Sequence, residues 1–435
     1  MQMHPDQDGT PLACKGADFR IVGAAVVSNQ PAGDTLHMTS TTMAASPQLA
    51  LHPRPTTRQR LTSRVNSLAL AHGLSVSAVT SAEAFPEVFR ILRDRIAAGH
   101  LAGMDWFTTE RAAASCDPTT LMVNPLSILS VGVAYWGSDD GKPEDGVPRG
   151  RISRYARGID YHQILQERMR NLHSAIEEMI GQPVAARFLT DHARIVDRAV
   201  AARAGLGWYG KNACIIVPGH GSWVMLGELL LDLDLEPDEP LDKNCGRCGI
   251  CLDRCPTGAI VAPYTIHSPS CISFQTIEQR GAIPRELRPH FGDWVFGCDV
   301  CQEVCPYTRA AAEERDSAFL PRHLDNAYPS LHRLLEMSSR TFRERYRGTA
   351  VMRARRIGLA RNAAVALGNI GTEDDVPPLT QAVLGHDLSL VRGHAAWALG
   401  RIGGSRARRA LARAWERERD AEARAEIAFA LEEAA

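Results

Sequence analysis

Three changes of texture predict a chain of three folded parts: a mixed α/β (α+β) domain, a ferredoxin-like domain, and an α-helical repeat domain. Apolar helices and strands alternate between residues 61 and 233, which predicts the first. Eight of the eleven cysteines fall between Cys245 and Cys305, which predicts the second. A repeat of about 32 residues near the C-terminus predicts the third. The boundaries read from these textures are 56–236, 237–312 and 313–435. Residues 1–55 are an extension or a mis-assigned start, because they are rich in Gln, Thr, Ser, Pro, Met and His without periodicity.

In the first part, folded sequence starts near Leu61. Ala82 to Ala98 has helical spacing, with Phe85, Val88, Phe89 and Leu92 on one face. Leu121 to Tyr135 contains a strand-like apolar run. Tyr161 to Ile180 reads as a helix, since Ile164, Leu165, Met169, Leu172, Ile176 and Ile180 fall on one side. A Gly-rich turn, Gly205 to Asn212, precedes two further apolar runs, Cys214 to Val217 and Trp223 to Leu233. Leu235 to Asp242 is rich in Pro and Asp and reads as a linker. Gly205-Leu-Gly-Trp-Tyr-Gly210 fits a dinucleotide fingerprint only in its letters, because no helix is predicted after it. A tight turn is the better reading.

The cysteines carry the chemistry. Cys245-x-x-Cys248-x-x-Cys251-x-x-x-Cys255-Pro256 has the spacing of bacterial ferredoxins, in which the fourth Cys serves the other cluster. Three closely spaced thiolates wrap one cube, and the next, beyond a turn and before a proline, points away. A second run, Cys298-x-x-Cys301-x-x-x-Cys305-Pro306, lacks a third neighbour, which Cys271 can supply. Exchange of the fourth ligands gives Cys245, Cys248, Cys251 and Cys305 for one [4Fe-4S] cluster. It gives Cys255, Cys271, Cys298 and Cys301 for the other. Zinc also takes Cys-x-x-Cys pairs, but the first run is not a usual zinc spacing. Cys14, Cys116 and Cys214 are left as free or core thiols.

Clustered thiols in a long chain indicate a reducing compartment, so the cytoplasm is expected. No run approaches the roughly 20 apolar residues of a membrane span. Ile21 to Val27 is a poor signal segment, because Asp6, Asp8 and Asp18 precede it. Formal net charge is −1, so any nucleic-acid surface must be local. The repeat region offers one. Between Arg340 and Arg413, 14 arginines stand against 5 acidic residues, and a solenoid would lay them along phosphates or along a solvated, salt-bridged face. The repeat itself reads Ala364, Ala366, Leu367, then Ala396, Ala398, Leu399, then Ala428, Ala430, Leu431. Small and large apolar residues at this spacing suit HEAT-type stacking. Gly371 and Gly403 suit left-handed caps. The Glu-rich end from Glu416 reads as the outer cap.

Several motifs outside the cysteine runs resemble epoxyqueuosine reductase: Ser153-Arg-Tyr-Ala-Arg-Gly-Ile-Asp-Tyr-His162, Ala204-Gly-Leu-Gly-Trp-Tyr-Gly-Lys-Asn212, Gly221-Ser-Trp223 and Leu226-Gly-Glu228. Cys271-Ile-Ser-Phe274, Thr276-Ile-Glu278 and Gly297 to Pro306 match as well. The resemblance implies a cobalamin-binding domain similar to flavin nitroreductase folds. It implies reduction of epoxyqueuosine to queuosine at the tRNA wobble position, with cob(I)alamin attacking the epoxide and the two clusters supplying electrons.

The family's D-x-x-P-x-x-E-R segment reads Asp191-His-Ala-Arg194-Ile-Val-Asp197-Arg198 here, with Arg194 and Asp197 departing from the pattern. Asp191 takes the place of the proton donor and is expected in a desolvated pocket. From the residues alone, a cap for the helix that runs up to Ala204 is the better reading. Arg154, Tyr155, Asp191, Lys211, Asn212, Ser222, Asp299 and Val300 are the expected cofactor or substrate contacts. The implied partners are the tRNA anticodon stem-loop and an external donor such as a flavodoxin or ferredoxin system, with the protein a monomer away from membranes. The alternatives are a corrinoid reductive dehalogenase, which usually carries a twin-Arg signal, and an electron carrier with a HEAT-type docking surface.

Overall fold

Residues 55–138, 141–191, 194–313 and 316–433 are described by the structure, a computed structural model. The chain divides into two units, Met1–Arg54 and Pro55–Ala435. The first lies outside the described residues, and with it Cys14 and nearly all of the expected N-terminal extension.

The first helix, α1 (Thr57–Ala71), starts ahead of Leu61. Thr56 and Gln59 form a capping box, each side chain accepting from the other's backbone N–H. There follow β1 (Val76–Ser81), α2 (Pro86–Ala97), α3 (Thr109–Ser115), β2 (Ser127–Ala134) and β3 (Arg151–Ile152). Next come α4 (Tyr161–Ile180), β4 (Ala186–Leu189), α5 (Asp197–Arg203), the short hairpin strands β5 (Trp208–Tyr209) and β6 (Ile215–Ile216), and β7 (Val224–Leu231). Four strands make an antiparallel sheet in the order β1-β2-β7-β4.

Every residue of β2 is buried, because helices cover both faces of the sheet. Leu129, Val131 and Val133 pack with Leu165, Met169 and Leu172 of α4. Ile128 and Leu230 pack with Ala199 and Val200 of α5. α4 has the predicted bounds: Asp160 caps its start, and Gly181 closes it at φ 79°.

Leu235 to Asp242 is a strap rather than a free linker. Val79 N–H donates to the Asp238 carboxylate, and Asp238 N–H donates back to Val79 O, both at 2.8 Å. Glu236 is tied to Thr62 in the same way. Gly205, at φ 74°, allows the strap to pass, since a Cβ there would lie 2.1 Å from Glu239 O. The Gly-rich segment is therefore a turn leading into the β5–β6 hairpin, as the tight-turn reading expects.

The cysteine-bearing part holds α6 (Ile250–Asp253), the hairpin β8 (Ile260–Ala262) and β9 (Thr265–Ile266), α7 (Ile272–Ile277), β10 (Trp294–Phe296), α8 (Val300–Glu303) and α9 (Pro306–Arg309). β10 pairs in parallel with β3, which stitches this part to the α/β sheet domain.

The remainder is helical: α10 (Leu331–Glu336), α11 (Ser339–Tyr346), α12 (Arg355–Ile370), α13 (Val376–Gly385), α14 (Ser389–Ile402), α15 (Gly404–Arg417) and α16 (Ala421–Glu433). The three copies of the repeat fall on α12, α14 and α16, which pack in series. Gly368 and Gly400 permit this, because a Cβ would lie 2.4 Å from Trp397 at the first and 3.0 Å from Ala430 at the second. Neither expected glycine is a left-handed cap: Gly403 has φ 71° but ψ −161°, a conformation open to glycine alone, and Gly371 is extended at φ −74°. The Glu-rich end is helix α16, with Ala423, Ile427 and Ala430 buried against its neighbours.

The arginine-rich surface needs correction. Arg361 is completely buried and donates to the carbonyls of Gln275 (2.6 Å), Gln279 (2.8 Å) and Gly281 (2.7 Å). Burial, with Arg280 and Arg288 nearby, lowers its pKa to about 9, so it stays charged at neutral pH. It bolts α12 to the segment after Cys271 and is no phosphate ligand. Arg356 pairs with Asp387, and Arg353 with Glu278 at 2.9 Å. One apolar core runs from Ile272, Phe291 and Phe296 into Leu359, Ala363 and Leu399, so the repeats and the cysteine-bearing part fold together.

Candidate active site and cysteine clusters

Among the described residues no three His, Cys, Asp or Glu side chains stand close enough to hold a single metal ion, but the cysteines gather in two neighbourhoods. A small cavity is lined by Cys245, Cys248, Cys251 and Cys305, together with Lys211, Asn212, Ile216, Ile250, Pro306 and Tyr307. Burial pushes the Cys251 thiol up to about 11, and Cys245, Cys305 and Cys248 add to the rise. In the second group, Cys298 feels Cys271 and Cys255, and Cys301 feels Cys298 and Cys271. Burial pushes the Cys271 and Cys298 thiols up. The first set read from the spacing thus lines one cavity, and in the second set Cys271 interacts electrostatically with Cys255, Cys298 and Cys301.

The groups differ in surroundings. Ile250 and Tyr307 beside the first are 41% and 44% exposed. Beside the second lies Asp299, which is fully enclosed and accepts from Arg154 N–H at 2.9 Å. Val300 opens α8 and packs on the shared core. The Cys214 thiol hydrogen-bonds with Cys301, so this leftover cysteine borders the inner group.

From Asp299 the contacts lead to the sheet domain. Arg154 donates to Gly137 O at 3.0 Å and lies over the rings of Trp136 and Trp223, at 4.6 and 5.9 Å. Those two indoles stack 5.2 Å apart. Tyr155 meets Tyr161 edge-on at 5.8 Å, and its phenol is raised by burial, then by Asp299 and Asp191. The Tyr161 hydroxyl donates to Asp191 Oδ2. His162 Nε2 lies 2.7 Å from Asp191 Oδ1, and its Nδ1 lies 2.7 Å from Asp160 Oδ1. Burial alone would lower the imidazole pKa, but the Asp160 and Asp191 carboxylates outweigh it and raise it to about 9.

The Asp191 side chain is 49% exposed, because it stands on a turn beyond the end of β4; the desolvation expected of it is that of a pocket closed by corrin and substrate. It does not cap a helix: α5 begins after Val196 without any side-chain cap.

The other expected contacts sit at the seam between the sheet domain and the cysteine-bearing part. Lys211 Nζ donates to Gly246 O at 2.8 Å, in the first cysteine loop. Asn212 Nδ2 donates to Cys301 O at 3.3 Å. Ser222 is buried against Thr308 and Gln302.

Three relevant residues had no role assigned from sequence. Tyr161 and His162 were visible inside a motif, but their convergence on Asp191 depends on β4 lying beside α4. Glu228 is completely buried on β7, with neither carboxyl oxygen partnered among the described residues. Burial, then Asp197 and Asp191, raises its pKa well above the ordinary carboxylate range.

With this geometry in place, comparison with known proteins is decisive. A curated epoxyqueuosine reductase of Xanthomonas campestris is 37% identical over 343 residues, covering 78% of this chain and 96% of that protein. The chain belongs to the epoxyqueuosine reductase family. The Escherichia coli member is 38% identical over 301 residues, covering 68% of this chain and 78% of its own.

Family descriptions divide the sequence consistently. "Epoxyqueuosine reductase QueG, DUF1730" matches residues 116–192, "4Fe-4S double cluster binding domain" matches 244–308, and "HEAT repeats" matches 349–432. Among solved structures, an epoxyqueuosine reductase with an epoxyqueuosine-modified tRNA-Tyr stem loop aligns at TM-score 0.80 and 31% identity, over 86% of this chain and 99% of that one. The Bacillus subtilis enzyme, solved with its catalytic aspartate loop swung out of the active site, gives the same figures. The Streptococcus thermophilus enzyme aligns at 0.77 and 29%, over 85% and 97%. This epoxyqueuosine reductase relative thus has the family's two-cluster domain and HEAT repeats in the order read from sequence.

Proposed function

We propose that the chain reduces epoxyqueuosine in tRNA to queuosine, with Asp191 and His162 handling the proton and the two cysteine groups holding [4Fe-4S] clusters. It is an oxidoreductase acting on tRNA. The observation that carries the assignment of the site is the unbroken line of contacts from Asp191 through Tyr161, Tyr155 and Arg154 to Asp299, beside Cys298.

The residues fit the implied cofactors. Eight thiols in two groups of four suit two cubes. The aromatic wall of Trp136, Trp223, Tyr155 and Tyr161 suits a broad flat ligand such as a corrin. Trp223 Nε1 is buried without a hydrogen-bond partner among the described residues, a donor available to such a ligand. Arg154, Tyr155, Ser222 and Asp299 would line it. When bound, cobalamin supplies a strong cobalt nucleophile and the clusters supply single electrons.

The reduction takes two electrons and two protons, giving an alkene and water. An epoxide oxygen leaves poorly unless protonated. Asp191 Oδ1 and His162 Nε2 hold a proton between them, and with the imidazole pKa near 9 that proton is present at neutral pH. Asp160 fixes the ring from the other side. Tyr161 orients the second carboxyl oxygen. A half-exposed Asp191 fits a residue on a loop of the kind described for the Bacillus subtilis enzyme. Arg353 is held above its ordinary range by Glu278 first, with Asp191 contributing, which puts a cation near the proposed opening.

Residues 56–236 are the proposed nitroreductase-like corrinoid domain, 237–312 the cluster domain and 313–435 the repeat domain. The anticodon stem-loop is the proposed RNA partner of a monomeric, cytoplasmic enzyme. Among the described residues no helix is long and apolar enough to cross a membrane.

The test is conversion of epoxyqueuosine-containing tRNA by purified, iron- and cobalamin-loaded protein with a reductant, read by nucleoside mass spectrometry. Queuosine is the expected product. Intact substrate under conditions where the Escherichia coli enzyme turns over overturns the assignment.

A further inference from the structure

The proposed reaction consumes two electrons, and clusters pass them singly, so they must be delivered to one cysteine group from outside. The group lined by Ile250 and Tyr307 opens on the surface. Lys243, Arg247 and Arg254 lie in the same cysteine-bearing segment as its lining residues Cys245, Cys248 and Cys251, all exposed and none in an ion pair among the described residues. Lys243 Nζ lies 5.7 Å from the Trp208 ring, which meets Tyr307 edge-on at 5.2 Å. Lys243 is therefore continuous with the apolar cap, and Arg247 and Arg254 flank Cys248 and Cys251 in the same segment. Asp242 and Asp253 leave it net positive.

We propose that this rim docks a small acidic one-electron carrier protein. The proposal rests on the cluster reading above and names the partner of that site. Charge complementarity selects the occupant. An acidic protein face meets the three free cations, while Ile250 and Tyr307 give the apolar centre that a protein–protein contact needs. RNA phosphates would use the cations and leave the apolar cap unmatched. Each reduced carrier gives up one electron and departs oxidised. Two such encounters, with two protons, account for the alkene and the water.

The experiment uses iron-loaded full-length protein and a reduced flavodoxin of net negative charge. Wild type is compared with Lys243→Glu combined with Arg247→Glu and Arg254→Glu. Flavodoxin affinity is measured over a salt series, and cluster bleaching is followed by stopped flow with flavodoxin and, separately, with dithionite.

The variant should bind flavodoxin at least about tenfold more weakly, lose most of the salt dependence and bleach correspondingly more slowly. Iron content and bleaching by dithionite should not change. Equal flavodoxin binding and bleaching overturn the proposal. So does an equal slowing with dithionite. Weakened tRNA binding with flavodoxin unaffected reassigns the rim to RNA. A wild-type protein that takes up no iron overturns the cluster reading itself, which the iron assay reports before any carrier is added.

Discussion

The two cysteine groups offer the same donor atom, yet the fold gives them different surroundings. The group of Cys245, Cys248, Cys251 and Cys305 sits under exposed Ile250 and Tyr307. The group of Cys255, Cys271, Cys298 and Cys301 sits beside enclosed Asp299, and its α7 segment is bolted to the repeats by Arg361. Donor chemistry alone does not distinguish the ends of an electron path. Exposure does: one end must meet a partner, and the other must sit next to the reacting groups and away from water.

The largest test of this contrast is a pair of ligand changes. Cys301→Ser should abolish turnover, by more than about 10³-fold with any reductant. Cys248→Ser should abolish it with flavodoxin but leave about a tenth with dithionite, a small molecule able to reach the inner site. Equal losses with dithionite would erase the distinction.

Asp191→Asn separates proton from electron supply. Turnover should fall about 10²–10⁴-fold, while iron in both groups and bleaching by dithionite stay normal. Retained turnover would remove Asp191 from the mechanism.

Arg361→Met should cost about 3 kcal/mol in urea unfolding, since one buried and two part-buried carbonyls lose the donor that a fully buried guanidinium supplies. It should also release iron first from the inner group, which holds Cys271. Unchanged stability would mean that the bolt is dispensable.

The smallest effect is a pH dependence. The His162 pKa is raised from 6.5 to about 9, so its contribution to stability is full below about 6.5 and is lost as pH rises through about 9. Turnover and thermal stability should decline together in that range, and His162→Gln should flatten both. An unchanged profile in that variant would assign the decline to another group.

Much of the fold was legible from local pattern. The α4 helix follows from apolar residues at 3.6 spacing plus the Asp160 and Gly181 caps, and it forms where predicted. The repeat follows from small residues that recur where helices touch. Other readings failed for a common reason. Leu235 to Asp242 looks like a linker because Pro and Asp disfavour regular structure, but its partner, β1, lies far back in sequence. Arg361 looks like surface charge because arginine usually is, but the carbonyls it satisfies belong to another domain. His162, which meets Asp191 at 2.7 Å, had no signal beyond its adjacency to Tyr161.

The sequence by itself determined the tight Cys-x-x-Cys runs and the proline that ends each, because the reach of such a loop and the turn before a proline are local properties. It determined the helix α4 and the repeat for the same reason. Only the tertiary structure decided which cysteine group faces solvent, where the Glu228 carboxyl is buried, and which bases meet Asp191. Exposure and partnership are set by chain segments far apart in sequence, and no local spacing encodes them.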